Sequence, residues 1–232
     1  MNRFALISDI HGNILALDAV LADIDRRGVE AIFDLGDSLQ GPLEPAATAD
    51  RLIERNIPSV MGNDDRAILA EPLLPKHREW IAALPRTREP APDILLFHGT
   101  PASDLVYLLE DVQPNAVTLR DTAGIRQLLG DTGHSLYACG HTHFARTVWI
   151  GENQLVVNPG SVGLPAYRAD TPHPHTMEAG TPHARYAIVT RTANTWQVDH
   201  ILIPYDYAAA ARTAIANHRP DWSPRLLTGR LG

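Results

Sequence analysis

The amino-acid sequence predicts an α/β protein, a four-layer α/β/β/α sandwich of two mixed β-sheets flanked by helices. Up to residue 143, short apolar runs alternate with helix-like stretches, a pattern typical of βαβ units with parallel strands. After residue 143, strand-like runs follow one another with turn residues between them, which indicates a second, more antiparallel sheet. With 44% hydrophobic residues, the chain has enough apolar side chains for one domain spanning residues 1–232.

The first βαβ unit begins with the apolar run at residues 4–7, which is predicted to be a buried strand. Residues 14–27 carry apolar side chains every three or four positions, the spacing of one helical face. Asn13 is suited to cap this helix, and Gly28 is suited to end it. A second strand at residues 31–35 completes the unit.

Composition and proline positions predict four more helices, at residues 44–55, 75–84, 122–129 and 205–218. Pro45 is allowed in the first turn of its helix, whereas Pro85 ends the next one. A short helix or loop is expected after Asp65. The remaining apolar runs predict strands at residues 58–61, 94–97, 135–139, 147–150, 154–157, 185–190 and 196–203. Glu152 and Asn153 are predicted to form a hairpin turn.

Two segments are predicted to lack regular structure. Residues 86–93 contain Pro90 and Pro92 and are interpreted as a connector. Residues 165–184 are rich in proline and histidine and contain few large apolar side chains. This segment is either a mobile surface loop or a flap over a functional site.

Metal-binding residue types directly follow five of the predicted strands. They occur in Asp9-Ile10-His11, Gly36-Asp37, Gly62-Asn63-Asp64-Asp65, His98-Gly99 and Gly140-His141-Thr142-His143. Taken alone, each fragment would be interpreted as a turn or as a hydrogen-bonded loop residue. Ligands of open α/β sheets bind at the carboxyl ends of the strands, and an unpaired buried charge is costly. We therefore expect the fragments to converge at one sheet edge as a metal site.

This ordered set of motifs, Asp-x-His, Gly-Asp, Gly-Asn-x-Asp, His-Gly and Gly-His-x-His, resembles the calcineurin-like metallophosphoesterase superfamily. The run Asn158-Pro159-Gly160-Ser161-Val162-Gly163 is similar to the small bacterial and archaeal phosphodiesterase-like branch. The resemblance extends from Asp9 to Gly163. It implies the four-layer sandwich fold that the strand and helix pattern also predicts.

The resemblance also implies a binuclear metal centre. Asp9, His11 and His143 match the ligands of one ion, Asn63, His98 and His141 match those of the other, and Asp37 matches the bridging carboxylate. Mixed oxygen and imidazole ligands suit manganese, which we expect, or iron, zinc, cobalt or nickel. Two such ions lie roughly 3.5–4 Å apart in binuclear sites and hold a hydroxide that attacks phosphorus directly.

One position departs from the pattern of the family. Many members have a histidine after the asparagine of Gly-Asn-x-Asp, where it acts as general acid or contacts phosphate, and this chain has Asp64. Asp64 is a candidate proton donor or a residue that only shapes the loop. Asp65 matches the family's acidic partner residue and is expected to support the ligands. Asn63 and Arg168 are candidate substrate contacts, Arg168 through a phosphate oxygen.

Composition narrows the class of protein. A formal net charge of -7 argues against general coating of nucleic acids. The single cysteine, Cys139, excludes an internal disulfide and suits a reducing compartment. No apolar stretch approaches membrane-spanning length, so no membrane partner is expected. We expect a cytoplasmic protein whose partner is a small phosphate ester, and the sequence does not indicate its oligomeric state.

The expected activity is metal-dependent hydrolysis of a small phosphodiester or phosphomonoester. Because Asp64 would repel a phosphate dianion, diesters are favoured. One alternative is hydrolysis of a dinucleoside polyphosphate, since enzymes of that group share these motifs. The other is a non-catalytic scaffold or binding module on the same fold, a role that normally accompanies loss of ligands. All seven ligand positions are intact here.

Overall fold

The computed structural model describes residues 1–70, 73–151, 153–193 and 195–232. The strands are β1 (Arg3–Ile7), β2 (Ala31–Asp34), β3 (Thr87–Ala91), β4 (Ile94–Phe97), β5 (Glu110–Gln113), β6 (Ala116–Leu119), β7 (Leu136–Ala138), β8 (Arg146–Gly151), β9 (Gln154–Asn158), β10 (Ala166–Ala169), β11 (His175–Glu178), β12 (Ala184–Arg191) and β13 (Trp196–Ile203). The helices are α1 (Ile14–Arg27), α2 (Pro45–Glu54), α3 (Asn63–Ile68), α4 (Pro75–Ala82), α5 (Thr122–Leu129), α6 (Tyr207–Ala216) and α7 (Trp222–Thr228). None of the helices in these described ranges is long and apolar enough to cross a bilayer.

Two mixed sheets form the centre of the molecule, as predicted. The first sheet has the strand order β13-β12-β1-β2, and the second has the order β3-β4-β7-β9-β8. The parallel pairs are β1 with β2 in the first sheet, and β4 with β7 and β7 with β9 in the second. The antiparallel pairs are β1 with β12 and β12 with β13 in the first sheet, and β3 with β4 and β8 with β9 in the second.

Alternating side chains of each strand separate the layers. In β1, Phe4 and Leu6 belong to the core between the sheets, where they meet Leu96 of β4 and other apolar side chains of the second sheet. The neighbouring Ala5 and Ile7 belong to the core beneath α1. A third core joins the second sheet to α5. Helix, sheet, sheet and helix therefore follow one another, since the two faces of a strand alternate with period two.

Helix α1 illustrates how local sequence signals place an element. The side chain of Asn13 accepts a hydrogen bond from the amide of Ala16, 3.2 Å away, and caps the first turn. Gly28 ends the helix in the left-handed conformation. The predicted cap and stop residues are both confirmed.

The assignment of strands to sheets was wrong in the prediction. The C-terminal strands do not form a sheet of their own, because β12 and β13 extend the first sheet beside β1, and β8 and β9 extend the second. Pairing of this kind joins distant segments, which single-sequence patterns do not encode. The metal-binding fragments consequently lie at the edges of two facing sheets.

Three local predictions also require correction. Residues 86–93 are not merely a connector, since they contain β3, an edge strand, where Pro90 is tolerated. Within the described chain, residues 58–61 form an isolated β-bridge between Ser59 and Asp34 and are not a strand.

Residues 165–184 contain the antiparallel pair β10 and β11 instead of a plain loop. The predicted turn residue Glu152 lies outside the described residues, while β8 and β9 pair as antiparallel neighbours.

Candidate metal centre

The seven predicted ligands converge at the carboxyl ends of strands from both sheets. Asp9 and His11 follow β1, and Asp37 follows β2, in the first sheet; His98 follows β4, and His141 and His143 follow β7, in the second; Asn63 begins α3. Three groups of these side chains have ligand atoms within 4.8 Å of one another: Asp9 with His11 and His143; Asp37 with His98 and His141; and His11 with Asp37 and Asp64. Asp37 thus lies near ligands of both predicted subsites.

The histidines on one side turn lone pairs toward each other. Nδ1 of His11 is 2.9 Å from the Gln40 carbonyl oxygen, and Nδ1 of His143 is 2.6 Å from that of Leu164. A carbonyl only accepts, so each Nδ1 carries the hydrogen and Nε2 of the neutral ring keeps a lone pair. The two Nε2 atoms face each other at 3.3 Å. This is the orientation required for a shared cation.

His98 repeats the arrangement on the other side. Its Nδ1 lies 2.8 Å from the Leu35 carbonyl oxygen, and its Nε2 lies 3.1 Å from both Asp37 Oδ2 and Asn63 Oδ1. Burial works against a charge on His98, but the charge and hydrogen bond of Asp37 raise its pKa to about 10. The electrostatic potential beside His98 Nε2 is therefore negative and favours a positive charge, which either a proton or a metal ion can supply.

The remaining donors fit the same cation-binding interpretation. Asp9 is fully buried, and its Oδ1 has no hydrogen-bond partner among the described residues, although His143 Nε2 lies 3.3 Å away. Burial and the neighbouring His98 lower the pKa of His141 to about 4, which keeps its ring neutral and its Nδ1 free to coordinate. Carboxylate, amide and neutral imidazole donors are the ligand types that divalent transition metals take. The residues present fit a binuclear centre.

Most of these ligands sit on strained backbone. Five have left-handed φ values: Asp9 (55°), His11 (51°), Asp37 (55°), His141 (69°) and His143 (61°). Non-glycine residues rarely adopt this conformation, which costs of order 1–3 kcal/mol each and clusters at functional sites. The tight turns aim alternate side chains, such as those of His141 and His143, at the same point.

Two buried carboxylates hold the ligand turns together. Asp65 accepts hydrogen bonds from the amides of Asp37, Ser38 and Gly62, at 2.7, 2.9 and 3.1 Å. Burial and the negative charge of Asp37 raise the pKa of Asp65 to about 7, while the amides of Gly62 and Ser38 oppose that shift. Asp34 accepts from the Ser38 hydroxyl at 2.6 Å. Asp65 therefore couples the loop after β2 to helix α3.

Asp64 lies at the site and is not turned away from it. Its Oδ2 is 3.8 Å from His11 Nδ1, and its backbone amide donates to Asp37 Oδ1 at 2.8 Å. Its Oδ1 accepts from Asn63 Nδ2 at 2.9 Å, which leaves the Asn63 carbonyl oxygen facing His98. Burial and the charge of Asp37 raise the pKa of Asp64. Asp64 therefore orients Asn63, a role that the sequence did not indicate.

The segment at residues 158–163 supports two ligand loops. The side-chain amide of Asn158 donates to the Gly140 carbonyl oxygen at 2.7 Å and to the Thr142 hydroxyl at 3.1 Å. The hydroxyl of Ser161 donates to the Asp9 carbonyl oxygen at 2.7 Å. This segment joins the turn after β7 to the turn after β1.

Two glycines are required by close approach of other chain segments. A Cβ at Gly163 would lie 1.7 Å from the carbonyl oxygen of Ile10, and one at Gly62 would lie 2.1 Å from Asp37 Oδ1. Any side chain at these positions would displace a ligand turn.

Two tyrosines near the ligands were not found by sequence analysis. The hydroxyl of Tyr167 donates to the His141 carbonyl oxygen at 3.2 Å, and its ring centroid lies 4.5 Å from that of His143. Tyr107 contacts the His141 ring, and its hydroxyl oxygen lies 2.7 Å from the Tyr167 hydroxyl oxygen and 3.1 Å from His175 Nε2. No motif marked these residues. Since Tyr167 is in β10, the predicted flap segment packs against the ligands.

Five of the seven candidate ligands line a cavity of about 1270 Å³: His11, Asp37, Asn63, His141 and His143. Arg168, the predicted phosphate contact, lines this cavity on β10. Among the described lining residues there is no serine or cysteine. Cys139 is buried, and burial raises its pKa well above the usual range, so its thiol is not a nucleophile.

Comparison with known proteins identifies relatives of the chain. A model of the calcineurin-like phosphoesterase superfamily domain matches residues 2–179. An uncharacterized protein of Methanocaldococcus jannaschii is 25% identical over an alignment of 266 positions, which covers 99% of each chain.

Two solved structures are similar over most of their length. A metallophosphoesterase from Sphaerobacter thermophilus has a TM-score of 0.74 at 23% identity, covering 97% of this chain and 98% of that one. An archaeal phosphodiesterase has a TM-score of 0.51 at 14% identity, covering 86% of this chain and 99% of that one. At these identities the two structures establish a shared fold.

Proposed function

The chain belongs to the calcineurin-like phosphoesterase superfamily, and from this we propose that it is a binuclear metal-dependent phosphoesterase acting on a small phosphodiester or phosphomonoester. The observation that carries the proposal is the convergence of lone pairs at the cavity: Nε2 of His11 faces Nε2 of His143, and Nε2 of His98 faces Asp37 and Asn63. When bound, two divalent ions supply hydroxide at neutral pH and neutralise charge on the phosphoryl oxygens.

The chain's own residues have defined parts in this reaction. The carbonyl groups of Gln40, Leu164 and Leu35 hold the Nδ1 hydrogens, so three imidazoles present Nε2 to the ions. Asp37 serves both subsites, and Asp65 holds its loop. In this reaction hydroxide would attack phosphorus directly, without a covalent enzyme intermediate.

The test is reconstitution of metal-free protein with single metals, manganese first. We expect close to two ions per chain by elemental analysis and hydrolysis of bis-p-nitrophenyl phosphate that a chelator abolishes. Asp37→Ala should bind both ions much more weakly or not at all, because a carboxylate that serves two ions affects the binding of both. Its rate of hydrolysis should fall at least about a hundredfold. The matched control is Asp199→Ala, an aspartate on β13 outside the cavity.

Other outcomes would point to the alternative functions. Two tightly bound ions in Asp37→Ala would contradict the bridging role. A strong preference for a dinucleoside polyphosphate over nitrophenyl esters would favour that activity. Metal-loaded protein without turnover of any phosphate ester would favour a scaffold.

A further inference from the structure

We propose that the substrate carries a second anionic group, apart from the phosphate that is hydrolysed, and that this group binds to Arg168, Arg219 and Arg225. We call these three residues the arginine wall. The inference rests on the proposed function and narrows its substrate class to phosphate esters with an additional phosphate or carboxylate.

The cavity is larger than a simple phosphate ester requires. Its volume of about 1270 Å³ exceeds the roughly 300–1,000 Å³ of ordinary small-molecule sites. The same cavity is lined by His11 and His143 of the metal centre and by the arginine wall. A substrate bound at the metal centre therefore has room to extend to the arginines.

The arginine wall has uncompensated positive charge. Arg219 and Arg225 share one carboxylate, that of Asp221, at 2.9 and 3.0 Å. Within the described chain, Arg168 forms no hydrogen bond or ion pair, and Nε of Arg225 is buried without a hydrogen-bond partner. The three guanidinium groups thus have one carboxylate partner between them within the described chain. This is notable because the formal net charge of the whole chain is -7. Guanidinium groups with free donors favour phosphate and carboxylate ligands.

Among the described residues four carboxylates line the cavity, and none of them pairs with the arginine wall. Asp37 and Asp64 lie at the metal centre beside His98 and His11, and the other two pair with other arginines. Glu110 is 3.1 Å from Arg146, and Asp111 is 3.4 Å from Arg120. Neither of these arginines belongs to the arginine wall. The wall is therefore the cationic part of the cavity that is available to a ligand.

Trp222 connects the arginine wall to the metal centre. Its ring centroid lies 6.2 Å from that of His11, and the guanidinium carbons of Arg219 and Arg225 lie 5.6 and 6.0 Å from its own. Helix α7, which carries Trp222 and Arg225, packs against β10, which carries Arg168. One indole ring thus separates a metal ligand from two of the arginines, a spacing that suits two anionic groups on one small molecule.

The experiment compares two nitrophenyl esters that differ by one phosphate. They are the p-nitrophenyl ester of thymidine 5'-phosphate and the same ester with a 3'-phosphate. Manganese-loaded wild type should show about tenfold higher kcat/KM for the ester with the 3'-phosphate, because it adds charge-assisted hydrogen bonds. The ratio should fall toward one in Arg168→Gln and in Arg219→Gln, and also at high salt.

The matched control is Arg212→Gln, an exposed arginine on α6 that is not part of the cavity lining and should keep the wild-type ratio. A ratio near one in wild type, or a ratio unchanged in both arginine variants, would overturn the inference.

Binding separates this inference from the proposed activity. By calorimetry, thymidine 3',5'-bisphosphate should bind wild type about tenfold more tightly than thymidine 5'-monophosphate, and Arg168→Gln should remove the difference. If neither ester is hydrolysed, the proposed activity fails, while this binding difference still supports the arginine wall. Equal affinity for the two nucleotides would overturn the inference that the arginine wall binds a second anionic group, whether or not the esters are hydrolysed.

Discussion

At the scale of single residues, Asp64 places a carboxylate beside the candidate metal centre. Many superfamily members have a histidine at this position, whereas here a carboxylate lies 3.8 Å from His11 and lines the cavity. A carboxylate there repels a phosphate. At roughly 4–6 Å and an effective dielectric constant near 20, the repulsion is about 3–4 kcal/mol per unit charge before screening. Because the Asp64 side chain is 26% exposed, the realised effect is smaller.

We predict that Asp64→His raises monoesterase activity relative to diesterase activity. The substitution removes the repulsion of a monoester dianion and supplies a hydrogen-bond donor. Asp64→Asn should give part of the shift, since it removes only the charge. The measurement is the ratio of kcat/KM for p-nitrophenyl phosphate and bis-p-nitrophenyl phosphate, with metal content determined for each protein. An identical ratio in all three proteins, at full metal content, would show that Asp64 only orients Asn63.

At the scale of elements, a buried hydrogen bond helps to attach α1 to the first sheet. Tyr186, buried on β12, donates from its hydroxyl to Asp23 Oδ2 at 2.6 Å. Asp23 also accepts from Arg26 at 2.8 Å and from Arg27 at 2.6 Å. Burial opposes its ionisation, but the hydrogen bonds from Tyr186 and the two arginines lower the pKa of Asp23. The helix is thereby held in register on the sheet.

We predict that Tyr186→Phe lowers the free energy of unfolding by about 1–2 kcal/mol at pH 7. The folded-state pKa of Asp23 is lower than its unfolded value of about 3.9, so its contribution is present above that pH and is lost as the pH falls through the folded value. The difference between wild type and variant should therefore shrink near pH 3. Urea unfolding at both pH values measures it.

Tyr207→Phe is the control for this prediction, because the Tyr207 hydroxyl has no hydrogen bond within the described residues and its loss should change stability little. An equal loss of stability in the two variants would show that the bond to Asp23 contributes nothing. A difference that persists at pH 3 would show that it does not depend on the ionised carboxylate.

At the scale of the whole molecule, the metal centre lies between the two sheets. Asp9 and Asp37 follow strands of the first sheet, and His98 and His141 follow strands of the second. Ions bound there would connect the two sheets, and they would bind only the folded chain because the candidate ligands come together only on folding. Metal binding should therefore be part of the stability of the protein.

We predict that manganese raises the melting temperature of metal-free protein and that a chelator reverses the change. At a free metal concentration of 100 times Kd, the gain is about 2.7 kcal/mol per site. Scanning calorimetry measures the shift, with Asp199→Ala as a variant that should keep it and Asp37→Ala as one that should lose it. A shift of equal size in Asp37→Ala would place the stabilising ions elsewhere.

Much of the fold, and the convergence of the predicted ligands, could be predicted from sequence because both depend on local signals. An apolar run followed by a turn and a metal-binding side chain marks Asp9, Asp37 and His98. What could not be predicted depends on distant contacts: the pairing of β12 with β1, the packing of α7 against β10, and Tyr167 over His143. These contacts join segments whose patterns carry no information about each other.

The left-handed φ values of five ligands have a consequence for how such a chain would change under selection. Each ligand keeps an unfavourable backbone conformation that glycine adopts freely, and that asparagine tolerates better than most residues. Where metal binding is selected, coordination of the ions would compensate for this strain. A descendant that no longer needed the ions would gain stability from glycine or asparagine at positions 9, 37 and 141, so the ligand set would erode quickly. We therefore expect aspartate and histidine to persist at these turns only in descendants that still use the ions.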